Sequence, residues 1–300
     1  MRILLLGCRG QVGWELCRSL SPLGELAAFD QPDVDLGRPA SLRAVVDAAA
    51  PDVVVNAAAF TAVDRAESEE DLATRINGES VAELARAAAS RGALLVHYST
   101  DYVFDGSGVR PWTESDRPAP LNAYGRSKLA GERAISASGC RHLVLRTSWV
   151  YAPRGNNFVR TILRLAAERE GLRVIADQHG APTSAEFLAD VTAHLVSRTA
   201  MAAGSDALLG THHVAPRGET SWHGIAVHAV GRAAALGAPL RATPDSIAPI
   251  PAVDYPLPAP RPANSRLCVD RVERTFGIRC PDWRRHLDRA VAELVQGPNA

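Results

Sequence analysis

The sequence predicts an α/β fold, a doubly wound parallel sheet joined to a smaller mixed α/β part, on three observations. Short apolar runs that read as buried strands alternate with helix-period patterns from the first residues to about residue 150. The first run, Ile3 to Leu6, feeds a glycine-spaced turn and then a helical pattern. Beyond Pro153 the alternation gives way to shorter strands, helices and a proline-dense segment. A chain of 300 residues is long enough for one large or two modest domains with a real core.

Composition narrows the function. Lys and Arg total 33 against 33 Asp and Glu, so no polyanion-binding surface and no nucleic-acid partner are expected. No apolar run approaches the roughly 18 residues of a membrane span. Five cysteines (Cys8, Cys17, Cys140, Cys268, Cys280), an odd number at irregular spacing with no C-x-x-C pair, argue against a disulfide framework or zinc site and for a cytoplasmic location. The apolar start could pass for a short signal peptide, but it soon meets glycines and charge and reads better as a first strand.

In chain order, that strand enters Gly7-Cys8-Arg9-Gly10-Gln11-Val12-Gly13, a G-x-x-G-x-x-G turn, with a helix pattern from Trp14 to Leu20. Gly7, Gly10, Gln11 and Val12 stand where a Rossmann turn brings backbone N–H groups and a helix N-terminus to a pyrophosphate. The second strand, Leu26 to Phe29, ends in Asp30, an acid suited to a ribose 2′-hydroxyl and hence to NADH, whereas Arg9 could meet the 2′-phosphate of NADPH. The two point opposite ways. Asp35 and Leu36 follow on the adenine side. A helix over Ser41–Ala50 and a strand over Asp52–Asn56 lead to Ala57-Ala58-Ala59-Phe60-Thr61, small residues over which a cofactor could lie. A long helix is predicted over Asp71–Arg91, with Asn77 as a polar helix position.

The stretch from Ala93 to Lys128 organises the rest. A buried strand runs through His97-Tyr98-Ser99-Thr100-Asp101, a Pro- and Gly-rich loop covers Asp105–Pro120, and Tyr124 and Lys128 stand four apart at a helix start. At about 4 Å and an effective dielectric of about 20, an ammonium attracts a phenolate by about 4 kcal/mol, enough to draw a phenol pKa of about 10 as far as about 7. That suits a general acid, and Thr100 supplies a second hydroxyl for a substrate oxygen. The Y-x-x-x-K spacing alone is weak; its place downstream of the glycine turn gives it meaning.

The next strand, Leu143–Thr147, runs into Ser148-Trp149-Val150-Tyr151, where Trp149 is either a lid over the crevice or a core filler. Then come a helix from Asn156 to about Glu170, a short strand at Val174-Ile175, and a polar loop, Asp177–Thr183. In the helix Ser184–Arg198, Glu186 and Asp190 share a face and could join a divalent ion, while Thr183-x-x-Glu186 also reads as a capping box, the commoner meaning. His212 and His213 read as polar strand residues. After a helix over Ser221–Leu236, the segment Pro249–Pro262 is too proline-dense for a central strand and is expected to wrap over a site, delivering Arg261 to a substrate phosphate. A closing helix covers about Asp282–Val295.

Together, Gly7–Gly13, Asp30, Thr100 and Tyr124–Lys128 resemble the extended short-chain dehydrogenase/reductase superfamily. More closely, Gly10-Gln11-Val12-Gly13-Trp14-Glu15, Asn56-Ala57-Ala58-Ala59, Ser99-Thr100-Asp101-Tyr102-Val103-Phe104, Thr147–Tyr151, Gly155–Phe158, Gly180–Thr183 and Arg261–Leu267 resemble the dTDP-4-dehydrorhamnose reductases, in order along nearly the whole chain.

The resemblance implies reduction of the 4-keto group of a dTDP-sugar by NADPH or NADH. Tyr124 would be the proton donor, Lys128 would lower its pKa and hold the nicotinamide ribose, and Thr100 would orient the ketone. Asp101 and Trp149 match sugar-nucleotide contacts; Ala59, Phe60, Thr61 and Tyr98 match cofactor contacts, with Phe60 where close relatives would carry a histidine. Residues 1–150 and 183–216 would form the dinucleotide-binding Rossmann domain, and 151–182 with 217–300 the substrate domain. Some members dimerise through Mg2+ held by acids matching Glu15, Glu186 and Asp190, so an ion and a homodimer are open expectations. Two other functions share the pattern: a nucleotide-sugar epimerase, and a non-catalytic regulatory subunit of the kind that accompanies methionine adenosyltransferase. The intact Thr100, Tyr124 and Lys128 argue against the latter.

Overall fold

The structure is a computed structural model that describes residues 1–201 and 205–297. β1 (Arg2–Leu6), α1 (Gln11–Leu20), β2 (Glu25–Phe29), α2 (Pro39–Ala49) and β3 (Val53–Asn56) open the chain. α3 (Val63–Ser68), α4 (Glu70–Thr74) and α5 (Ser80–Arg91) lead to β4 (Leu94–Thr100), and α6 (Ala123–Ala137) leads to β5 (His142–Thr147). There follow β6 (Val150–Tyr151), α7 (Phe158–Glu168), β7 (Leu172–Ile175), β8 (His179–Gly180), β9 (Thr183–Ser184), α8 (Ala185–Met201) and β10 (Gly210–His213). β11 (Thr220–Ser221), α9 (Trp222–Ala235), β12 (Ile247–Ile250), α10 (Asp270–Phe276) and α11 (Trp283–Gln296) complete it.

Six strands form one parallel sheet in the order β2-β1-β3-β4-β5-β10. Both faces are covered, which is why its strands are continuously apolar rather than alternating. Ile3, Leu5, Val53, Val55, Leu143 and Leu145 pack with α1, α8 and α10; Leu4, Leu6, Val54, Leu95 and Val144 pack on the other face with α2, α5 and Ile135 of α6. Succession reverses between β1 and β3, the switch point at whose strand tips such sheets bind ligands. A second apolar region joins α7, α9 and α11 with β7 and β12.

Several boundaries differ from expectation. α1 starts at Gln11, so Gln11, Val12 and Gly13 belong to its first turn. The single helix expected over Asp71–Arg91 is α4 and α5 separated by a π-helical turn, Arg75–Glu79, and α3 was not foreseen. The turn has a cause: Asn77, buried within it, accepts from Phe60 N–H (2.9 Å), donates to Phe60 C=O (3.0 Å) and donates to Ser127 Oγ (2.9 Å). It is a brace, not a polar helix position. The capping box is absent, because the buried Thr183 hydroxyl has no partner and Glu186 turns to Arg289 at 2.9 Å. The polar loop over Asp177–Thr183 contains β8 and the start of β9. Pro249 does lie in a strand, β12, but that strand pairs only with β7, leaving an edge where a missing N–H is harmless.

Under the tips of β4 and β5 lies a buried ion pair. Arg146 donates to Glu132 through Nε (2.9 Å) and Nη2 (2.6 Å), and Ser99 Oγ donates to the same carboxylate at 2.5 Å. Removing one partner strands a desolvated charge. Glu132→Leu is therefore expected to cost about 3–5 kcal/mol in urea unfolding, and the double variant Glu132→Leu/Arg146→Leu to recover most of it.

Candidate active site

A cleft of about 920 Å³ opens at the carboxyl ends of β1, β2, β3 and β4. Its floor is the turn between β1 and α1. A Cβ on Gly13 would sit 1.9 Å from Gly7 C=O, so only glycine lets the helix start fold back over the turn and present its N–H groups to the cleft. Gly7, Gly10, Gln11, Val12, Asp30 and Leu36 line this end, and Ala59, Phe60, Thr61 and Tyr98 line the wall. Asp30 accepts from the N–H groups of Arg9 and Gln31, both at 2.8 Å, while Arg9 Nη1 donates to Gln31 C=O at 2.9 Å, so both candidates for cofactor preference stand at the tip of β2. This glycine-walled floor, beside a helix start that no side chain caps, fits a dinucleotide.

At the other end, α6 is capped by Asn122, whose side chain accepts from Gly125 N–H at 2.7 Å. That cap puts Tyr124 in the first turn and Lys128 one turn on, both lining the cleft with Thr100 and Asp101 from the tip of β4. A Cβ on Gly125 would lie 2.2 Å from Tyr102 C=O, so α6 reaches this position only at backbone contact. Burial and nearby Asp101 push the Tyr124 phenol up to about 12, a hydrogen bond with Thr100 opposing them. The lowering by Lys128 expected from the sequence is therefore not found; burial outweighs it. Lys128 is itself buried and drawn down to about 8, and its Nζ lies 3.1 Å from His97 Nε2. Burial also raises Asp101 to about 7, and its Oδ2 has no hydrogen-bond partner among the described residues.

Trp149 lines the cleft and stacks on Trp222, ring centroids 4.1 Å apart, so the lid and core readings merge into one aromatic wall. Two expected residues lie elsewhere. Asp35 accepts from Gly37 N–H (2.7 Å) and Gln31 Nε2 (3.0 Å), closing a turn. Arg261 is paired with Asp64 at 2.9 Å and does not line the cleft.

Glu15, Glu186 and Asp190 share one neighbourhood on α1 and α8, but Arg18 pairs with Glu15 (3.6 Å) and Asp190 (2.7 Å), and Arg289 with Glu186. No group of three or more His, Cys, Asp or Glu side chains set to hold a metal ion occurs among the described residues. As the side chains stand in one chain, they do not fit an ion. Sequence reading missed Trp222, for which nothing marked a cleft position, and the roles of Asn56 and His97, which polar residues ending apolar runs could have signalled.

The RmlD substrate binding domain family model matches residues 1–296. The dTDP-4-dehydrorhamnose reductase of Burkholderia thailandensis is 51% identical over 300 residues, covering 98% of this chain and 99% of that protein. That of Escherichia coli K12 is 48% identical over 298 residues, covering 98% of each. The chain belongs to the dTDP-4-dehydrorhamnose reductase family. A crystal structure of the Bacillus anthracis reductase in complex with NADP superimposes with a TM-score of 0.88 at 33% identity, covering 97% of this chain and 99% of that one. Within this family frame the glycine turn leaves no room for a side chain at Gly13. Gly13→Ala is expected to weaken NADPH binding, read by fluorescence titration, by about tenfold or more and to lower the melting temperature.

Proposed function

We propose that the protein reduces the 4-keto group of dTDP-4-dehydro-L-rhamnose with NAD(P)H, giving dTDP-L-rhamnose. The observation that carries this reading is the convergence of Thr100, Tyr124 and Lys128 on the cleft that holds the glycine turn, in a chain of that reductase family. The bound nicotinamide supplies a hydride to the carbonyl carbon; the remaining work falls to the chain's own residues. Gln11 and Val12, in the first turn of α1, receive the dinucleotide phosphates on backbone N–H groups, while Gly7 and Gly10 let the backbone come close to them. Residues 1–150 and 183–216 are read as the part that holds the cofactor, and 151–182 with 217–300 as the part that holds the sugar nucleotide.

Tyr124 is a phenol throughout the neutral range, the form a proton donor needs. Its hydroxyl, in the cleft with Thr100, hands its proton to the ketone oxygen, and Thr100 holds that oxygen in line. Protonated Lys128 stabilises the phenolate left behind. Asp101 and the Trp149–Trp222 wall meet the sugar nucleotide. Arg261, exchanging Asp64 for a phosphate, meets the diphosphate; a partly exposed ion pair is weak enough to be exchanged. Glu15, Glu186 and Asp190 take no part in the chemistry.

Reduction consumes one cofactor per product, whereas epimerisation consumes none, so NADPH oxidation measured against product formation from the 4-keto sugar tests the reading. Tyr124→Phe is expected to lower kcat by about 10²–10⁴-fold with NADPH affinity within a few-fold, and Lys128→Met to damage both. Full activity in the phenylalanine variant would remove Tyr124 from the proton-donor role.

A further inference from the structure

The register of the sheet sets Asn56 at the end of β3 directly beside His97 on β4, and both side chains face α6. Both are buried, as is Lys128. Asn56 Nδ2 lies 3.2 Å from His97 Nδ1, and His97 Nε2 lies 3.1 Å from Lys128 Nζ. The amide orientation of Asn56 is fixed by its other end, because Oδ1 accepts from Ala58 N–H at 3.2 Å. An amide N–H2 facing Nδ1 requires that nitrogen to be the acceptor. A neutral imidazole then carries its hydrogen on Nε2, pointing at Lys128. An ammonium has no lone pair and cannot accept it; an amine can.

We propose that Asn56 and His97 are positioning residues that favour Lys128 as an unprotonated amine at mildly alkaline pH before the cofactor enters, so that entry of the anionic dinucleotide draws a proton from solvent onto Nζ. The step balances as amine plus solvent proton giving ammonium, with no other bond changed. Burial keeps the imidazole neutral, as any charge on Lys128 would also do, and burial likewise favours the uncharged lysine. The other titratable groups around the amine are Tyr124 and Glu132 on its own helix and Asp101 beyond Tyr124. Glu132 favours the ammonium, but its carboxylate is committed to Arg146 of β5 and Ser99 of β4. The pair thus stores the lysine in a form that needs no counterion in a dry site, and the charge arrives with the cofactor.

The inference rests on Lys128 belonging to the reductase site, and its test does not need turnover. Nitrogen NMR of the cofactor-free protein, with His97 assigned by its loss in His97→Gln, is expected to show the Nε2–H tautomer. Calorimetric titration with NADPH near pH 8, in two buffers of different ionisation enthalpy, is expected to show uptake of up to about one proton, absent in Lys128→Met. Asn56→Asp keeps the acceptor for Ala58 N–H but accepts from Nδ1–H. It is expected to flip the tautomer, turn Nε2 into an acceptor for the ammonium, and move the pH at which uptake fades up by about one unit or more. A residue that merely fills space would move neither readout. An Nδ1–H tautomer in the native protein, or NADPH binding without proton uptake, overturns the proposal. Normal results here with no reduction of the 4-keto sugar would instead sink the reductase reading and leave this one standing.

Discussion

The active-site end of the molecule depends on how closely α6 lies against its neighbours. Gly125 sits where any side chain would strike Tyr102 C=O, and Gly131, farther along, where a Cβ would lie 2.3 Å from Asn77 C=O. Two backbone contacts, one at the tip of β4 and one at the π-helical turn, therefore fix the depth and rotation of the helix that carries Tyr124 and Lys128. The usual helix separation of 8–10 Å, set by side chains, would leave the phenol short of Thr100. Closeness also explains the π-helical turn. The backbone distortion at Arg75–Glu79 brings Asn77 to Phe60 and Ser127 together, so the loop walling the cleft and the helix entering it are pinned by one side chain.

Against that frame the sheet places a layer of polar groups where an apolar layer would otherwise stand. On the face toward α6, Leu95 is followed two residues on by His97 and then Ser99, and β5 offers Arg146 in register with Ser99. Burying so many polar groups is costly unless they are partnered, and here they join in two sets, Asn56–His97–Lys128 and Ser99–Glu132–Arg146, though Arg146 Nη1 stays without a partner among the described residues. α6 supplies one member to each set, one turn apart. The first set bears on the charge of the reacting lysine; the second locks the helix to two strands below it.

How much of this the sequence disclosed follows from what each signal depends on. The strands of the sheet and the glycine turn were legible because burial on both faces and close backbone approach each demand particular residue types, and Ile3–Leu6 and Gly7–Gly13 supply them. That Tyr124 and Lys128 share a face was legible by spacing, since four residues on a helix is one turn, and Thr100 was legible as a hydroxyl at a strand end; all three line the cleft. The tyrosine's acidity was not, because its expected lowering assumed a fixed ammonium beside it, and burial acts on both groups. Nor was the interruption at Asn77, where local propensity says helix and the reason for the distortion comes from Phe60 and Ser127, distant in sequence. Trp222 reached the cleft through stacking on Trp149, a contact no local pattern encodes.

The proline-dense strap beyond β12 is tied to the entrance of α6. Its path is fixed at two points: Ala259 N–H donates to Asp64 at 3.1 Å, and Pro260 C=O accepts from Asn122 Nδ2 at 2.9 Å. Asn122 is also the cap of α6, its oxygen holding Gly125 N–H while its nitrogen holds the strap. Asp64 in turn binds Arg261 as well as the strap backbone. A movement of the strap is therefore transmitted to the first turn of α6, where Tyr124 stands, through a single amide whose two ends are both engaged. Proline makes that coupling stiff, because restricted φ angles leave little slack between the two anchors. The strap and the first turn of the helix that carries the phenol are consequently tied to one side chain.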